Sequence, residues 1–95
     1  MRMLDKLLQG VEVRSLVGDG TVAVGRLEFD SRKVVPGTLF FATRGTQADG
    51  HAYIPAAVAA GAAAVVCEEL PAERPVGVTF VQVPDSTVAL GQVAS

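Results

Sequence analysis

Two short polar segments lie on either side of one apolar run, and they carry the residues best suited to bind a ligand. The first is Asp30-Ser31-Arg32, and the second is residues 45–51, Gly-Thr-Gln-Ala-Asp-Gly-His. The Ser31 hydroxyl can both donate and accept hydrogen bonds. The Arg32 guanidinium offers a planar fork of donors that suits phosphate or carboxylate. These residues predict a ligand contact, and the alternative is that Asp30 or Ser31 only caps a turn.

The second segment is suited to a planar, polar ligand. Gly45 and Gly50 allow the backbone to approach a ligand closely or to adopt positive φ. The Gln47 amide and nearby backbone groups complement the carbonyl acceptors and imide donor of a uracil ring. The alternative is an ordinary loop before a helix, with Asp49 near the free amides of the helix N-terminus. We expect His51 to form local hydrogen bonds at the helix entry rather than to touch a ligand phosphate.

The elements around these segments predict a small α/β domain, with a mixed and mostly buried sheet flanked by helices. Leu39 to Ala42 is apolar on both faces, which is typical of a central strand. Strand 39–43, helix 52–60 and strand 63–67 form a predicted βαβ unit. Further strands are predicted at 11–16, 22–29 and 78–83, and further helices at 3–9 and from about residue 87. In strand 22–29, Gly25 would form a bulge and Phe29 would face inward.

Composition limits the class of protein. The 95 residues suit one domain, and 49% hydrophobic against 19% charged residues predicts a packed core. A net charge of −2 provides no basic field for nucleic acid. The single Cys67 is expected to be a buried structural thiol in a reducing compartment. Because no apolar stretch approaches the roughly 18 residues of a membrane span, we expect a cytoplasmic protein without membrane contact.

Several chemical signatures are missing from the sequence. It contains no G-x-x-x-x-G-K-[ST] phosphate loop and no His or Cys spacing typical of a metal site. Asp30 and Asp49 do not form a specific metal motif. The helical pattern of Val88, Leu90 and Val93 stops at Ser95, which favours an excised domain. We therefore expect residues 1–95 to contain no catalytic or metal-binding residues and to be inactive alone.

The stretch from Asp30 to Ala42, which includes Pro36-Gly37 and Leu39-Phe40, resembles the N-terminal domain of the Mur ligases when taken with residues 45–51. These ATP-dependent enzymes add amino acids to the peptidoglycan precursor. The resemblance extends from about Leu27 to Glu69. Residues 47–50, Gln-Ala-Asp-Gly, are most similar to the MurE type, which adds the third residue. The sister ligase that adds D-alanyl-D-alanine is the nearest alternative, and a freestanding small-ligand or interaction module is an alternative from another class.

This resemblance implies a binding role for the domain. It would bind the uridine-diphosphate end of UDP-N-acetylmuramoyl-L-alanyl-D-glutamate, while ATP and magnesium would act with the missing ATP-binding domain of the same chain. The residues implied to contact the nucleotide are Phe29, Ser31, Thr46, Gln47 and Ala48. Thr46 is a mild departure from relatives, which can carry His, Lys or another polar residue there, so the resemblance does not imply a side-chain contact but allows a backbone contact. The resemblance implies no cofactor for residues 1–95 themselves and does not identify the amino acid that is added.

Overall fold

A five-stranded, mostly parallel sheet forms the middle layer of the fold. The computed structural model describes residues 2–44 and 49–94. The elements are β1 Arg2–Met3, α1 Leu4–Leu7, β2 Ser15–Val17, β3 Ala23–Val24, β4 Arg26–Glu28, β5 Thr38–Phe41, α2 Ile54–Ala59, β6 Ala64–Cys67, β7 Thr79–Gln82 and α3 Ser86–Ala94. The main sheet has the order β2-β7-β6-β5-β4, in which only β2 is antiparallel to its neighbour. A separate short pair joins β1 to β3.

Two apolar clusters cover the two faces of this sheet. Successive side chains of a strand point to opposite faces, so a strand covered on both sides must be apolar throughout. Leu39 and Phe41 pack in the cluster that contains residues of α1 and α3. Phe40 packs in the other cluster, with α2. The sheet is therefore enclosed between helices, and the predicted α/β fold is confirmed.

The predicted βαβ unit is present as β5, α2 and β6. The two strands pair in parallel, with Phe40 opposite Val65. Pro55 lies in the first turn of α2, where no intrahelical bond from its nitrogen is needed. Gly61 follows α2 with φ +107°, and a Cβ there would lie 2.9 Å from Pro36 Cα. Glycine is required here for both reasons, and it fixes the end of the helix against the turn that begins β5.

The chain before β5 differs from the prediction. The predicted strand 11–16 is observed as Ser15–Val17, because the chain reaches the sheet edge only where the Arg14 N–H donates to the Gln82 carbonyl at 2.8 Å. The predicted strand 22–29 is two strands in two sheets, β3 and β4. Gly25 is the break between them rather than a bulge.

Phe29 does not face inward, and that expectation is wrong. Its residue surface is 61% exposed. Strand β4 ends at Glu28, whose carboxylate accepts hydrogen bonds from the Phe29 N–H at 3.2 Å and the Asp30 N–H at 3.4 Å. These bonds turn the chain away from the sheet, so Phe29 leaves the alternating pattern of the strand.

The C-terminal predictions are confirmed. Asp85 Oδ1 accepts from the Thr87 and Val88 amides at 3.0 and 3.1 Å, as a helix cap does, and α3 follows.

Cys67 is fully buried, as predicted, with its thiol 3.7 Å from the Val81 carbonyl oxygen. Within residues 2–44 and 49–94, no helix is long and apolar enough to cross a membrane.

Candidate functional site

The carboxyl ends of β4, β5, β6 and β7 lie at one edge of the sheet, because these strands are parallel to one another. In open α/β sheets, ligands bind preferentially outside this edge. Polar segments follow each of the four strands here. They begin at Phe29, Thr43, Glu68 and Asp85.

A cleft of ≈ 550 Å³ opens beyond the ends of β4 and β5. This volume lies within the range of about 300–1,000 Å³ that is usual for small-molecule sites. We call it the carboxyl-edge cleft, and its lining residues are Phe29, Asp30, Ser31, Arg32, Thr43, Gly50 and Tyr53. The fold thus brings the Asp-Ser-Arg segment together with Thr43 and Gly50.

Asp30 organises the first wall of the cleft. Its Oδ1 accepts from the Arg32 backbone N–H and from Arg32 Nε, each at 3.0 Å, and its Oδ2 accepts from Arg32 Nη2 at 2.9 Å. These hydrogen bonds from Arg32 lower the pKa of Asp30 to about 2. The capping alternative is therefore confirmed for Asp30. Because the guanidinium uses only some of its five donors on Asp30 and is 87% exposed, Arg32 can also donate to an anion in the cleft.

Ser31 is the residue of this wall whose hydroxyl is available to a ligand. It begins the short helical turn Ser31–Lys33, and it lines the cleft. In the described part of the chain, the structure gives its Oγ no hydrogen-bond partner. A hydroxyl in this position can donate to one ligand oxygen and accept from another ligand group.

Two exposed aromatic rings border the same cleft. Phe29 is 61% exposed and Tyr53 is 48% exposed. Exposed apolar surface beside polar groups is characteristic of binding sites. An aromatic face can also stack on a planar nucleic-acid base, which has its own π-face. The cleft therefore combines flat apolar surfaces with hydroxyl and guanidinium donors.

The second wall of the cleft lies after β5 and contains Thr43 and Gly50. Thr46, Gln47 and Ala48, predicted to contact a ligand, lie outside the described residues. The residues on either side of them meet: Arg44 and Asp49 form an antiparallel bridge, and the Gly50 N–H donates to the Thr43 carbonyl at 2.8 Å. A Cβ on Gly50 would lie 2.7 Å from that carbonyl oxygen. Only glycine allows this close approach at the base of the cleft.

His51 forms the local bond expected at the helix entry and a second bond that the sequence did not indicate. Its Nδ1 lies 2.7 Å from Asp49 Oδ1. Its Nε2 accepts from the Glu68 N–H at 2.9 Å and the Glu69 N–H at 3.3 Å. The imidazole therefore connects the segment after β5 with the segment after β6.

Charged groups surround this connection. Arg44 Nε lies 3.3 Å from Glu68 Oε1 and 3.8 Å from Asp49 Oδ2, and Arg44 Nη2 lies 3.0 Å from Glu69 Oε1. Hydrogen bonding to Glu69 is the main cause that raises the pKa of Arg44. Sequence reasoning missed Arg44 and Glu68. The available signal was that each follows a buried strand at the same sheet edge.

The described residues do not fit an ATP or magnesium site. Residues 2–44 and 49–94 contain no group of three His, Cys, Asp or Glu side chains that could hold a metal ion. The complete sequence also lacks the phosphate loop named above. No step that uses ATP or magnesium is assigned to these residues.

The fold and the cleft define a small α/β domain with a candidate binding site at the carboxyl edge of its sheet. A model of the Mur ligase family, described as its catalytic domain, matches residues 24–95. The chain belongs to the Mur ligase family.

Curated relatives share this assignment over most of the chain. One is the UDP-N-acetylmuramoyl-L-alanyl-D-glutamate–2,6-diaminopimelate ligase of Bacteroides thetaiotaomicron, 45% identical over 98% of this chain and 19% of the relative. The ligase of the same name from Chlorobaculum tepidum is 53% identical over 81% of this chain and 15% of the relative. The chain thus spans about a fifth of the length of the curated relatives it matches.

Solved structures support the fold. MurF from Acinetobacter baumannii matches with a TM-score of 0.81 and 24% identity, covering 97% of this chain and 20% of that one. MurF ligase from Thermotoga maritima, crystallised with ADP, matches with a TM-score of 0.64 and 29% identity, covering 73% of this chain and 16% of that one. These matches show that this chain has the fold of one part of each of those longer chains.

Proposed function

We propose that residues 1–95 form the N-terminal substrate-binding domain of a longer MurE-type ligase. The domain binds the uridine-diphosphate end of UDP-N-acetylmuramoyl-L-alanyl-D-glutamate. The whole protein is an ATP-dependent amide-forming ligase of peptidoglycan synthesis that adds the third peptide residue. The observation that carries the proposal is the open carboxyl-edge cleft, where the Ser31 hydroxyl, the Arg32 guanidinium and exposed Phe29 converge.

Each cleft residue has a chemical role in this proposal. Phe29 contacts the nucleoside through its exposed ring, and Ser31 hydrogen-bonds the ribose or diphosphate side. Thr46, Gln47 and Ala48 contact the uracil, with the Gln47 amide matching its carbonyl and imide groups. The remaining donors of Arg32 face the diphosphate charge.

The domain contributes alignment rather than bond formation. A firmly held uridine-diphosphate group places the distant reacting carboxylate, so binding energy at this cleft serves chemistry elsewhere. ATP and magnesium belong to the adjacent ATP-binding domain, since the residues described here do not fit them. The setting proposed for the whole protein is the cytoplasm, without a nucleic-acid or membrane partner.

The sister ligase that adds D-alanyl-D-alanine is the second candidate. Solved MurF structures share the fold of this chain, and one of them is 29% identical to it. The curated relatives named as diaminopimelate ligases are 45% and 53% identical, which favours the MurE type. The proposed contacts are made to the uridine-diphosphate group, so they do not select the amino acid that is added.

Steady-state kinetics of the full-length ligase test the proposed site. Ser31→Ala and Gln47→Ala each remove a hydrogen bond worth about 0.5–1.5 kcal/mol, so the KM for the UDP substrate should rise roughly 2- to 12-fold. The KM for ATP should stay unchanged. Arg74→Ala is the matched control, because Arg74 donates to the Pro71 carbonyl and does not line the cleft. An effect on ATP kinetics alone would contradict the site.

A further inference from the structure

The two ends of the segment between Arg44 and Asp49 are held by the same two residues after β6. On one side, Arg44 reaches the carboxylates of Glu68 at 3.3 Å and Glu69 at 3.0 Å. On the other side, His51 accepts from the backbone amides of the same two residues. The position of the segment's ends is therefore set from β6 as well as from β5.

The His51 ring is fixed in both orientation and tautomer. Because Nε2 accepts from backbone amides, Nδ1 carries the proton and donates to Asp49 Oδ1 at 2.7 Å. The same carboxylate oxygen accepts the His51 backbone N–H at 3.0 Å. The side chain is only 14% exposed, so water competes little for these bonds.

Glu68 is itself held by an element outside the cleft. Its Oε2 accepts from the backbone N–H and the hydroxyl of Ser86, both at 2.9 Å, and Ser86 is fully buried at the start of α3. The Gln82 amide also donates to the Glu68 carbonyl at 3.1 Å. His51 therefore bonds to a part of the chain that β6, β7 and α3 together fix.

We propose that His51 is a positioning residue for the uridine-diphosphate group, which extends the function proposed above and rests on it. His51 does not line the cleft, but its neighbour Gly50 does. By holding its own backbone and Asp49 against Glu68, His51 sets where Gly50 lies relative to Ser31 in the cleft. A wall ordered before binding loses less conformational entropy when the ligand arrives.

Three substitutions in the full-length ligase separate the two bonds of the ring. His51→Ala removes both, His51→Gln can return an acceptor near the position of Nε2, and His51→Asn can return a donor near the position of Nδ1. For Ala and Asn, we expect the KM for UDP-N-acetylmuramoyl-L-alanyl-D-glutamate to rise about 5- to 10-fold. His51→Gln should bring this KM back to within about 3-fold of the wild-type value, because the hydrogen bond to the Glu68 N–H is the one that positions the wall. The values of kcat and of the KM for ATP should change little.

A variant of similar stability controls for a general loss of folding. Leu8→Ala shortens a side chain that follows α1 and packs in the cluster of Leu39 and Phe41, outside this network. Its Tm should fall at least as far as that of His51→Ala, while the KM for the UDP substrate stays at the wild-type value. An equal rise in KM for Leu8→Ala, or rescue by Asn but not by Gln, would overturn the proposal.

Hydrogen exchange separates this proposal from the proposed function. In His51→Ala without ligand, the amides of Glu68, Glu69 and Gly50 should exchange at least 10-fold faster, and Gln should restore protection at Glu68. Unchanged exchange in His51→Ala would overturn the positioning role. If the wild-type ligase does not use or bind UDP substrates, the proposed function fails, and with it the ligand part of this proposal, whatever the exchange rates show.

Discussion

Asp30 and Ser31 are adjacent in the chain but have different parts in the cleft. The Asp30 carboxylate accepts three hydrogen bonds from Arg32, so it shapes the turn and holds the guanidinium. Ser31 follows with a hydroxyl directed to no partner in the described chain. His51 is the third kind of residue here, because its ring joins two loops instead of facing the cleft. The proposed site therefore combines a residue that shapes the turn, a residue that contacts the ligand and a residue that positions the wall.

Cys67 permits a residue-scale test of the core. The thiol is fully buried, so Cys67→Ser places a hydroxyl without a strong partner in an apolar cluster. The free energy of unfolding should fall by about 1–3 kcal/mol. The KM for the UDP substrate should not change, because Cys67 does not line the cleft. Denaturant midpoints and kinetics of both proteins check this, and normal stability with abolished binding would refute it.

The same thiol predicts a loss of stability at alkaline pH. Burial raises the pKa of Cys67 from 9.0 to about 11. Between these values the folded protein keeps a proton that the unfolded chain releases, so the free energy of unfolding decreases as pH rises from about 9 towards 11. Cys67→Ser should show a smaller decrease over this range. Identical pH profiles of the two proteins would show that the thiol does not contribute.

At the scale of elements, the sequence predicted what depends on local pattern. The apolar run Leu39 to Ala42 predicted β5. Gly61 predicted the end of α2, and the Asp85 cap predicted the start of α3. The break at Gly25 was not predictable, because Val24 and Leu27 are apolar enough for one strand while their partners lie in two sheets. Phe29 was misplaced for a related reason: the bonds of Glu28 to the following amides end the strand, and alternation alone does not show them.

The same limit applied to the candidate site. Ser31 was indicated by the Asp-Ser-Arg motif and Phe29 only by the family resemblance, and the structure places both in one cleft. The bond from Glu68 to His51 joins residues 17 positions apart, and it depends on parallel pairing of β5 with β6. Residue types alone do not reveal such a contact.

Two glycines give a matched test at this scale. Gly50→Ala would place a methyl group 2.7 Å from the Thr43 carbonyl oxygen, and the backbone at the base of the cleft must move. We expect a loss of about 1–3 kcal/mol in the free energy of unfolding. Gly91→Ala, within α3 and with open space around the new methyl, should gain about 0.5–1 kcal/mol. Denaturant midpoints that shift in the same direction for both variants would contradict this geometry.

At the scale of the whole molecule, the proposed function separates binding from reaction. Two apolar clusters support the sheet, and its carboxyl edge carries the cleft. The chain corresponds to about a fifth of its curated relatives. In the proposed function, this domain holds one end of a long substrate while other parts of the enzyme act on the far end.

Residues 1–95 alone should not hydrolyse ATP or form an amide bond. The sequence has no phosphate loop, and the described residues have no metal-binding cluster. A phosphate-release assay of the purified chain, with and without the UDP substrate, checks this expectation. Turnover that persists after contaminating ATPases are removed would contradict the assignment of the chemistry to other domains.

Photolabelling of the full-length ligase with 5-azido-UDP tests the central claim most directly, because it reports where the uridine lies. After irradiation and digestion, the label should be found on peptides that contain Phe29 to Arg32 or residues 43–53, and excess UDP should suppress it. Phe29→Ala should reduce the labelling while Arg74→Ala should not. A second groove is lined by Arg2, Arg26 and Val93, at the other end of β4. UDP-suppressible label confined to that groove would contradict the account.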